Sequence, residues 1–160
     1  MTPAGLSLGF RILGRETRVS GIAPILWDED RKVDIARIAN ATAKLLECDL
    51  ELSPSDILSS DEYIGDRYGV LTQEGRDALK LVAETEGIFL DPVYTSKAMA
   101  GMIDQIRKGI ITKNETVVLS IPEVFPPCLP MQKTSCFPEA SLLFIPLRTS
   151  SPSTLSLIHI

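Results

Sequence analysis

Thr2 begins a short segment, TPAGLSLG over residues 2–9, that could hold an anion. Pro3 suits the first position of a helix, so Thr2 stands where an N-cap residue would stand. A helix that starts in this way offers a hydroxyl, free backbone N–H groups and a favourable dipole to a phosphate. The residues alone leave two interpretations open, an ordinary helix cap or a phosphate site.

Three further side chains, Tyr68, Tyr94 and Thr95, carry hydroxyl groups next to predicted helices or turns. Tyr68 precedes a glycine, which favours a loop tyrosine beside a turn. Tyr94 and Thr95 follow the extended run 91–93 and precede a helix. Their residue types indicate a half-buried aromatic at Tyr94 and a helix cap at Thr95 or Ser96. Composition alone gives these hydroxyl groups no chemical role.

Histidine and cysteine chemistry is not predicted. The single histidine, His159, lies in a C-terminal segment of unusual composition, so the rest of the chain has no histidine for acid–base catalysis. Cys48, Cys128 and Cys136 have spacings that match neither a zinc site nor a redox pair. They are interpreted as free thiols, and no metal is expected.

Helices and strands alternate along the first three quarters of the chain. Capping residues and apolar periodicity predict helices over residues 2–14, 28–48, 72–87 and from about 95 to 109. The second helix is expected to bury Ile35, Ile38, Thr42, Leu45 and Leu46, and the last is expected to bury Met99, Met102, Ile103 and Ile106. Strands are predicted at residues 18–22 and 117–119. This alternation is typical of an α/β fold with a parallel sheet.

Three stretches of the chain resemble one enzyme family. Residues 90–109 (LDPVYTSKAMAGMIDQIRKG) match it almost position for position, residues 63–72 (YIGDRYGVLT) resemble the approach to that motif, and residues 2–9 resemble the end of its phosphate loop. The family is the pyridoxal-phosphate enzymes related to D-cysteine desulfhydrase and 1-aminocyclopropane-1-carboxylate deaminase. The resemblance covers residues 2–118 and implies the C-terminal half of the large domain of a tryptophan-synthase-β-like, fold type II enzyme, with a parallel sheet and flanking helices.

The resemblance also implies roles for the hydroxyl groups. Tyr94 matches the family tyrosine that lies by the cofactor and the reacting carbon, and Tyr68 matches a tyrosine near the substrate. Thr95 matches the residue that faces the pyridine nitrogen of pyridoxal phosphate, while Thr2 matches the threonine that holds the phosphate. Lys97 occupies an ordinary helix position of the family, so it is expected at the surface. The family's cofactor-binding lysine lies upstream of the part that matches this chain.

Thr95 separates two activities within the family. Deaminases that act on aminocyclopropane carboxylate resemble this motif but carry glutamate at that place, which favours a protonated pyridine nitrogen and a stronger electron sink. A neutral hydroxyl suits a β-elimination, so the resemblance implies a lyase that converts D-cysteine to pyruvate, sulfide and ammonia. The cyclopropane deaminase and a sulfo-lyase acting on cysteate stay open as alternatives. An interpretation of another class is a catalytically inactive fragment without the Schiff-base lysine.

Overall composition and net charge exclude some classes of binding partner. The 160 residues carry a net charge of −5, which argues against nucleic acid or an anionic membrane as the partner. No segment is apolar enough to span a bilayer and no signal peptide is recognisable, so the cytoplasm is expected. The expected partner is a small amino-acid substrate, and the family resemblance adds a homodimer for the complete enzyme.

Composition divides the chain near residue 119. Residues 120–160 hold seven of the eleven prolines, no glycine and four charged side chains, which predicts little fixed structure. Codons for residues 120–133 can be chosen so that a shift of one base gives His-Thr-Gly-Gly and an ending similar to that of the family's chains. We therefore expect a partial pyridoxal-phosphate-binding α/β domain over residues 1–119 and a frameshifted, poorly ordered tail over residues 120–160.

Overall fold

The computed structural model describes residues 2–27 and 30–120, together with the backbone of residues 142–145 and 154–159. These residues form four α-helices, one 3-10 helix and a five-stranded sheet. The helices are α1 (Thr2–Ile12), α2 (Arg31–Leu45), α3 (Gln73–Glu86) and α4 (Thr95–Arg107), and the 3-10 helix is Pro54–Asp56. The strands are β1 (Arg18–Ile22), β2 (Leu58–Ser60), β3 (Glu115–Ser120), β4 (Leu142–Ile145) and β5 (Thr154–His159).

The strands lie in the order β2-β1-β5-β3-β4. β1 runs parallel to β2 and to β5, β5 runs parallel to β3, and the edge strand β4 pairs antiparallel with β3. Ile22 lies opposite Ser60, and the N–H of Ala23 donates to the Ser60 carbonyl at 2.8 Å. The carboxyl ends of β1 and β2 therefore lie side by side, at the edge where α/β folds bind ligands. The predicted α/β architecture with a parallel sheet is confirmed, and β4 adds an antiparallel edge.

Helices cover both faces of the sheet. Successive residues of a strand point to opposite faces, and the carboxyl end of β1 shows this alternation. A Cβ atom on Gly21 would lie 3.6 Å from Cγ of Pro3 in α1, whereas the Cβ position of Gly101 in α4 lies 3.0 Å from Cδ1 of Ile22. One apolar cluster joins α1 to α2, and a second joins α3, α4, β3 and Ile22. The carboxyl end of β1 thus lies between α1 on one face of the sheet and α4 on the other.

α3 has the ends that the sequence predicts. The Thr72 hydroxyl accepts a hydrogen bond from the N–H of Gly75 at 3.0 Å, which caps the first turn. Gly87 ends the helix in the left-handed region, with a φ of 67°, a conformation that glycine adopts without steric cost. Met99 and Met102 of α4 are buried as predicted, and β1 has the predicted bounds.

α2 packs through a stripe that matches the predicted one only in part: Ile35 is buried and Ile38 packs against the same cluster, as predicted. The helix is shorter than residues 28–48, and Leu45 and Leu46, expected on the buried face, are 84% and 57% exposed. Ile106 of α4 is likewise exposed. The buried residues of α2 are Ile35, Ala36, Ala39 and Ala43. Alanines let α2 pack closely against α1 in one cluster, and a pattern search that favours large apolar side chains passes over them.

The C-terminal segment is described only in part. β4 and β5 fall within it, and the rest of residues 120–160 lies outside the described residues. The frameshift and the poorly ordered tail therefore stay predictions. Within the described part of the chain, no helix is long and apolar enough to cross a membrane.

Candidate functional site

The loops after β1 and β2, with the starts of α2 and α4, line an open cavity at the carboxyl edge of the sheet. Its volume is about 670 Å³, and its walls are formed by residues 24–27, Arg31, Ile64, residues 66–68 and Tyr94. A cavity of this size lies in the range of small-molecule sites. Apolar side chains make much of the wall, and tyrosines, arginines and one aspartate supply the polar groups. This composition suits a small ligand that carries a negative charge and a flat apolar part.

Tyr68 and Tyr94 meet in the wall of this cavity. Their phenol groups share a hydrogen bond, and their rings lie edge to face, with centroids 5.9 Å apart and planes at 62°. The hydrogen bond with Tyr68, together with burial and the charge of Asp91, raises the pKa of Tyr94 above the ordinary tyrosine value. Tyr94 therefore keeps its proton at neutral pH. The structure brings together the two tyrosines selected from the sequence.

Asp91 fixes the start of α4, a role that sequence reasoning assigned to Thr95 or Ser96. That prediction was wrong. One carboxylate oxygen of Asp91 accepts from the N–H groups of Val93 and Tyr94, and the other accepts from the N–H of Thr95, each at 2.8 Å. Burial raises the pKa of Asp91, but hydrogen bonds from the Thr95 side chain and from these backbone N–H groups outweigh it and hold the pKa below the usual value. The Asp-Pro pair, which favours turn initiation, was the available signal.

Thr95 is the first residue of α4, and its side chain is 3% exposed. Its hydroxyl oxygen accepts from the N–H of Asp91 at 2.6 Å and donates to the Asp91 carbonyl at 3.2 Å. The second bond is long for a hydroxyl donor, but the Thr95 side chain also hydrogen-bonds the Asp91 carboxyl and lowers its pKa. Thr95 thus places a neutral hydroxyl, bonded to Asp91, next to Tyr94 in the chain, and it is not among the described residues that line the cavity.

Thr2 is the exposed first residue of α1. The helix was expected to begin at Pro3, so the observed start is one residue earlier, a difference within the ordinary uncertainty of helix ends. Pro3 packs at the carboxyl end of β1, near Gly21. The N-terminus of α1 therefore lies at the same edge of the sheet as the cavity. Such a helix start favours a phosphate, but no contact between Thr2 and Tyr68, Tyr94 or Thr95 occurs among the described residues.

Lys97 is fully buried, and the expectation that it lies at the surface was wrong. Its side chain is 0% exposed, and Nζ donates a hydrogen bond to the Ile64 carbonyl at 2.7 Å. Burial lowers the pKa of this lysine. A lysine is placed at the surface by default, yet it stands directly before Ala98 and Met99, both buried. That run of small and apolar residues was the signal for burial.

Residues 1–123 match the family described as pyridoxal-phosphate dependent enzyme. Two curated proteins to which the chain is similar are the 1-aminocyclopropane-1-carboxylate deaminase of Rhizobium rhizogenes, 39% identical, and that of Methylobacterium nodulans, 40% identical, each over 117 residues. Each alignment covers 73% of this chain and 35% of the relative. The chain therefore spans about a third of the length of these relatives.

A solved structure gives the same result. The chain is similar to the crystal structure of an ACC deaminase homologue, with a TM-score of 0.59 and 28% sequence identity. The superposition covers 99% of this chain and 35% of the other. The similarity in fold therefore includes the helices and the parallel strands that frame the cavity.

Proposed function

Because the chain belongs to the family of pyridoxal-phosphate-dependent enzymes, we propose that the whole protein is a lyase that carries out β-elimination on D-cysteine. The reaction breaks the Cα–H and Cβ–S bonds and releases sulfide, and water then cleaves the Cα–N bond, so that D-cysteine and water give pyruvate, sulfide and ammonia. The family relation to 1-aminocyclopropane-1-carboxylate deaminase supports an enzyme that acts at Cα of a small amino acid. The choice between the two reactions depends on the site.

The residues at the carboxyl edge suit pyridoxal phosphate, which, when bound, supplies an electron sink for bond breaking at Cα. Thr2 and the free N–H groups of α1 would hold its phosphate, since this helix begins beside the end of β1. Thr95 would donate to the pyridine nitrogen. Among the described residues no lysine lines the cavity. The amine that holds the cofactor would therefore come from another part of the whole protein.

The neutral hydroxyl of Thr95 is the observation that carries the choice of reaction. A carboxylate at this position would keep the pyridine nitrogen protonated, whereas a hydroxyl adds no charge. The surroundings also disfavour a second carboxylate, because the Asp91 carboxylate already lies 2.8 Å from the backbone nitrogen of Thr95. An elimination in which sulfide leaves quickly needs only brief stabilisation of negative charge at Cα. The site therefore favours elimination over deamination of a cyclopropane ring.

Tyr94 would hold a proton near the bond that breaks. Its raised pKa keeps the phenol protonated at neutral pH, so it can donate a hydrogen bond to the departing sulfur. Tyr68 would fix the direction of that phenol through the hydrogen bond between them. In this assignment Tyr94 and Tyr68 are catalytic residues, and Thr2 and Thr95 bind the cofactor.

Deamination of 1-aminocyclopropane-1-carboxylate is the second candidate, because the curated relatives carry that name. A sulfo-lyase acting on cysteate would use the same elimination chemistry with sulfite as the leaving group. The 160-residue chain alone, in which no lysine among the described residues lines the cavity, would be inactive. The family resemblance also supports a homodimer in the cytoplasm for the whole protein, which size-exclusion chromatography and cell fractionation would test.

A comparison of substrates tests the proposal. The whole protein, supplied with pyridoxal phosphate, is incubated separately with D-cysteine, cysteate and 1-aminocyclopropane-1-carboxylate, and sulfide, sulfite and ammonia are measured. We expect sulfide and pyruvate in equal amounts from D-cysteine and much slower ammonia release from the cyclopropane substrate. Ammonia from the cyclopropane substrate without sulfide from D-cysteine would show that the second candidate is right. The 160-residue chain alone is the control and should release neither product.

A further inference from the structure

Lys97 is a buried lysine that the proposed reaction does not use. Its side chain is 0% exposed, and no carboxylate among the described residues forms an ion pair with it. Burying a charged group without an opposite charge beside it costs free energy. The hydrogen bonds of the Lys97 side chain must offset part of that cost. The acceptor of its described side-chain bond is the backbone carbonyl of Ile64, at 2.7 Å.

Lys97 bonds to both segments that carry the phenol pair. Its backbone N–H donates to the Tyr94 carbonyl at 3.1 Å, and its Nζ donates to the Ile64 carbonyl. Ile64 is buried, lines the cavity and stands four residues before Tyr68. One residue thus connects the start of α4 with the loop that presents Tyr68.

The loop is closely packed immediately after Ile64. Gly65 follows with a φ of +74°, and a Cβ atom there would lie 2.4 Å from Cγ2 of Thr72. Only glycine fits such a position, and its close approach to Thr72 limits the path of the chain after Ile64. The loop is tied to α4 a second time, where the Tyr63 hydroxyl donates to Asp104 at 2.6 Å. That second bond lies before Ile64, on the side away from Tyr68.

We propose that Lys97 is a positioning residue: its bond to the Ile64 carbonyl holds the loop against α4 and thereby sets the contact between Tyr68 and Tyr94 at the cavity. The importance of this contact for catalysis rests on the proposed function. The contact itself needs neither cofactor nor substrate. A measurement on the unliganded chain therefore separates a failure of this proposal from a failure of the proposed reaction.

The test uses the 160-residue chain with tyrosine labelled by ¹³C at Cζ. The sequence has three tyrosines, so the NMR spectrum should show three Cζ signals, which Tyr→Phe variants assign. The variant Lys97→Met keeps a long apolar side chain and removes the donor. We expect the signals of Tyr68 and Tyr94 to shift, since the Cζ shift reports the hydrogen bond of the phenol. The Tyr63 signal, which reports the bond to Asp104, should stay in place.

The control variant Tyr63→Phe removes the other tie between the loop and α4, and it should leave the signals of Tyr68 and Tyr94 unchanged. Unchanged signals of the pair in folded Lys97→Met would overturn the proposal. So would equal shifts of all three tyrosines, or a shift of the pair in Tyr63→Phe as large as that in Lys97→Met.

If Lys97→Met does not fold, the parent chain is warmed below its unfolding transition. The protected Lys97 ammonium signal and the signals of the pair should then be lost together, and loss of the pair while the ammonium stays protected would refute the role of Lys97.

Discussion

Tyr68 and Tyr94 stand 26 residues apart in the sequence, and their phenol groups share a hydrogen bond in the wall of the cavity. Tyr68 lies in the loop after β2, and Tyr94 lies at the start of α4. The contact therefore reports how the two segments are placed relative to each other. The hydrogen bond with Tyr68 also raises the pKa of Tyr94.

Replacement of Tyr68 by phenylalanine should lower the pKa of Tyr94 toward the ordinary tyrosine value. The hydrogen bond with Tyr68 is the largest of the influences that raise it, and phenylalanine removes that bond while keeping the ring. Titration of the Tyr94 Cζ signal by NMR measures the change. The variant Tyr63→Phe is the control and should leave the Tyr94 titration in place. An unchanged Tyr94 titration in Tyr68→Phe would show that the bond is not formed in solution.

Replacement of Asp91 by alanine should destabilise the chain by about 1 kcal/mol, the usual cost of losing a helix N-cap. The pKa of Asp91 is held below its ordinary value, so its stabilising effect is present above about pH 4 and is lost as the pH falls through the folded-state pKa. Urea unfolding of both chains at pH 7 and at pH 3 tests both points. The control Asp77→Ala removes only an exposed bond to Gln73. A stability difference for Asp91→Ala that grows as the pH falls would contradict the capping role.

Replacement of Ser96 by alanine should stabilise the chain. The Ser96 hydroxyl is buried and has no hydrogen-bond partner among the described residues. A buried hydroxyl without a partner costs roughly 1 to 3 kcal/mol, so its removal should raise the free energy of unfolding by about 1 kcal/mol. Thermal and urea unfolding measure this. Ser7→Ala in α1 controls for the higher helix propensity of alanine. Equal gains in both variants would mean that the Ser96 hydroxyl is satisfied in solution.

The 160-residue chain should form no stable Schiff base with pyridoxal phosphate. The buried Lys97 amine is bonded to the Ile64 carbonyl, and the other described lysines are exposed, where water hydrolyses such adducts. Absorbance spectra after gel filtration, and mass spectrometry after borohydride reduction, should find only the unmodified chain. Lys97→Met should give the same result. An adduct that survives gel filtration and maps to Lys97 in the parent chain would refute this expectation.

Much of the fold could be predicted because the ends of its helices are determined by residues close to them in the sequence. Thr72 and Gly87 bound α3 through bonds and dihedral angles within one turn, and these need no knowledge of the tertiary structure. β2 could not be predicted, because a strand of three residues shows no recognisable alternation. Part of the buried face of α2 was missed because Ala39 and Ala43 are buried by their close approach to α1, which depends on the partner helix.

The residues of the candidate site could be selected from the sequence, but the hydrogen bonds between them could not be predicted. The family resemblance selected Tyr68, Tyr94 and Thr95, but no sequence pattern shows that the two tyrosines will form a hydrogen bond in the wall of a cavity. Lys97 was missed because a charged side chain in a helix is expected at the surface. Its burial depends on the Ile64 carbonyl, 33 residues earlier, which lies within reach of Nζ only in the folded chain.

Thr95→Glu in the whole protein gives the most direct measurement, with sulfide release from D-cysteine as the readout. The new carboxylate would lie near that of Asp91 and would favour a protonated pyridine nitrogen. A misplaced charge at a buried site costs roughly 1 to 3 kcal/mol, and about 1.4 kcal/mol is tenfold in rate. We therefore expect sulfide release to fall roughly 5- to 150-fold, with the folded state confirmed by thermal unfolding. Tyr94→Phe, which removes only the phenol oxygen, should slow sulfide release while the cofactor stays bound. If both variants release sulfide at the rate of the parent, Tyr94 and Thr95 are structural residues and the proposed site is wrong.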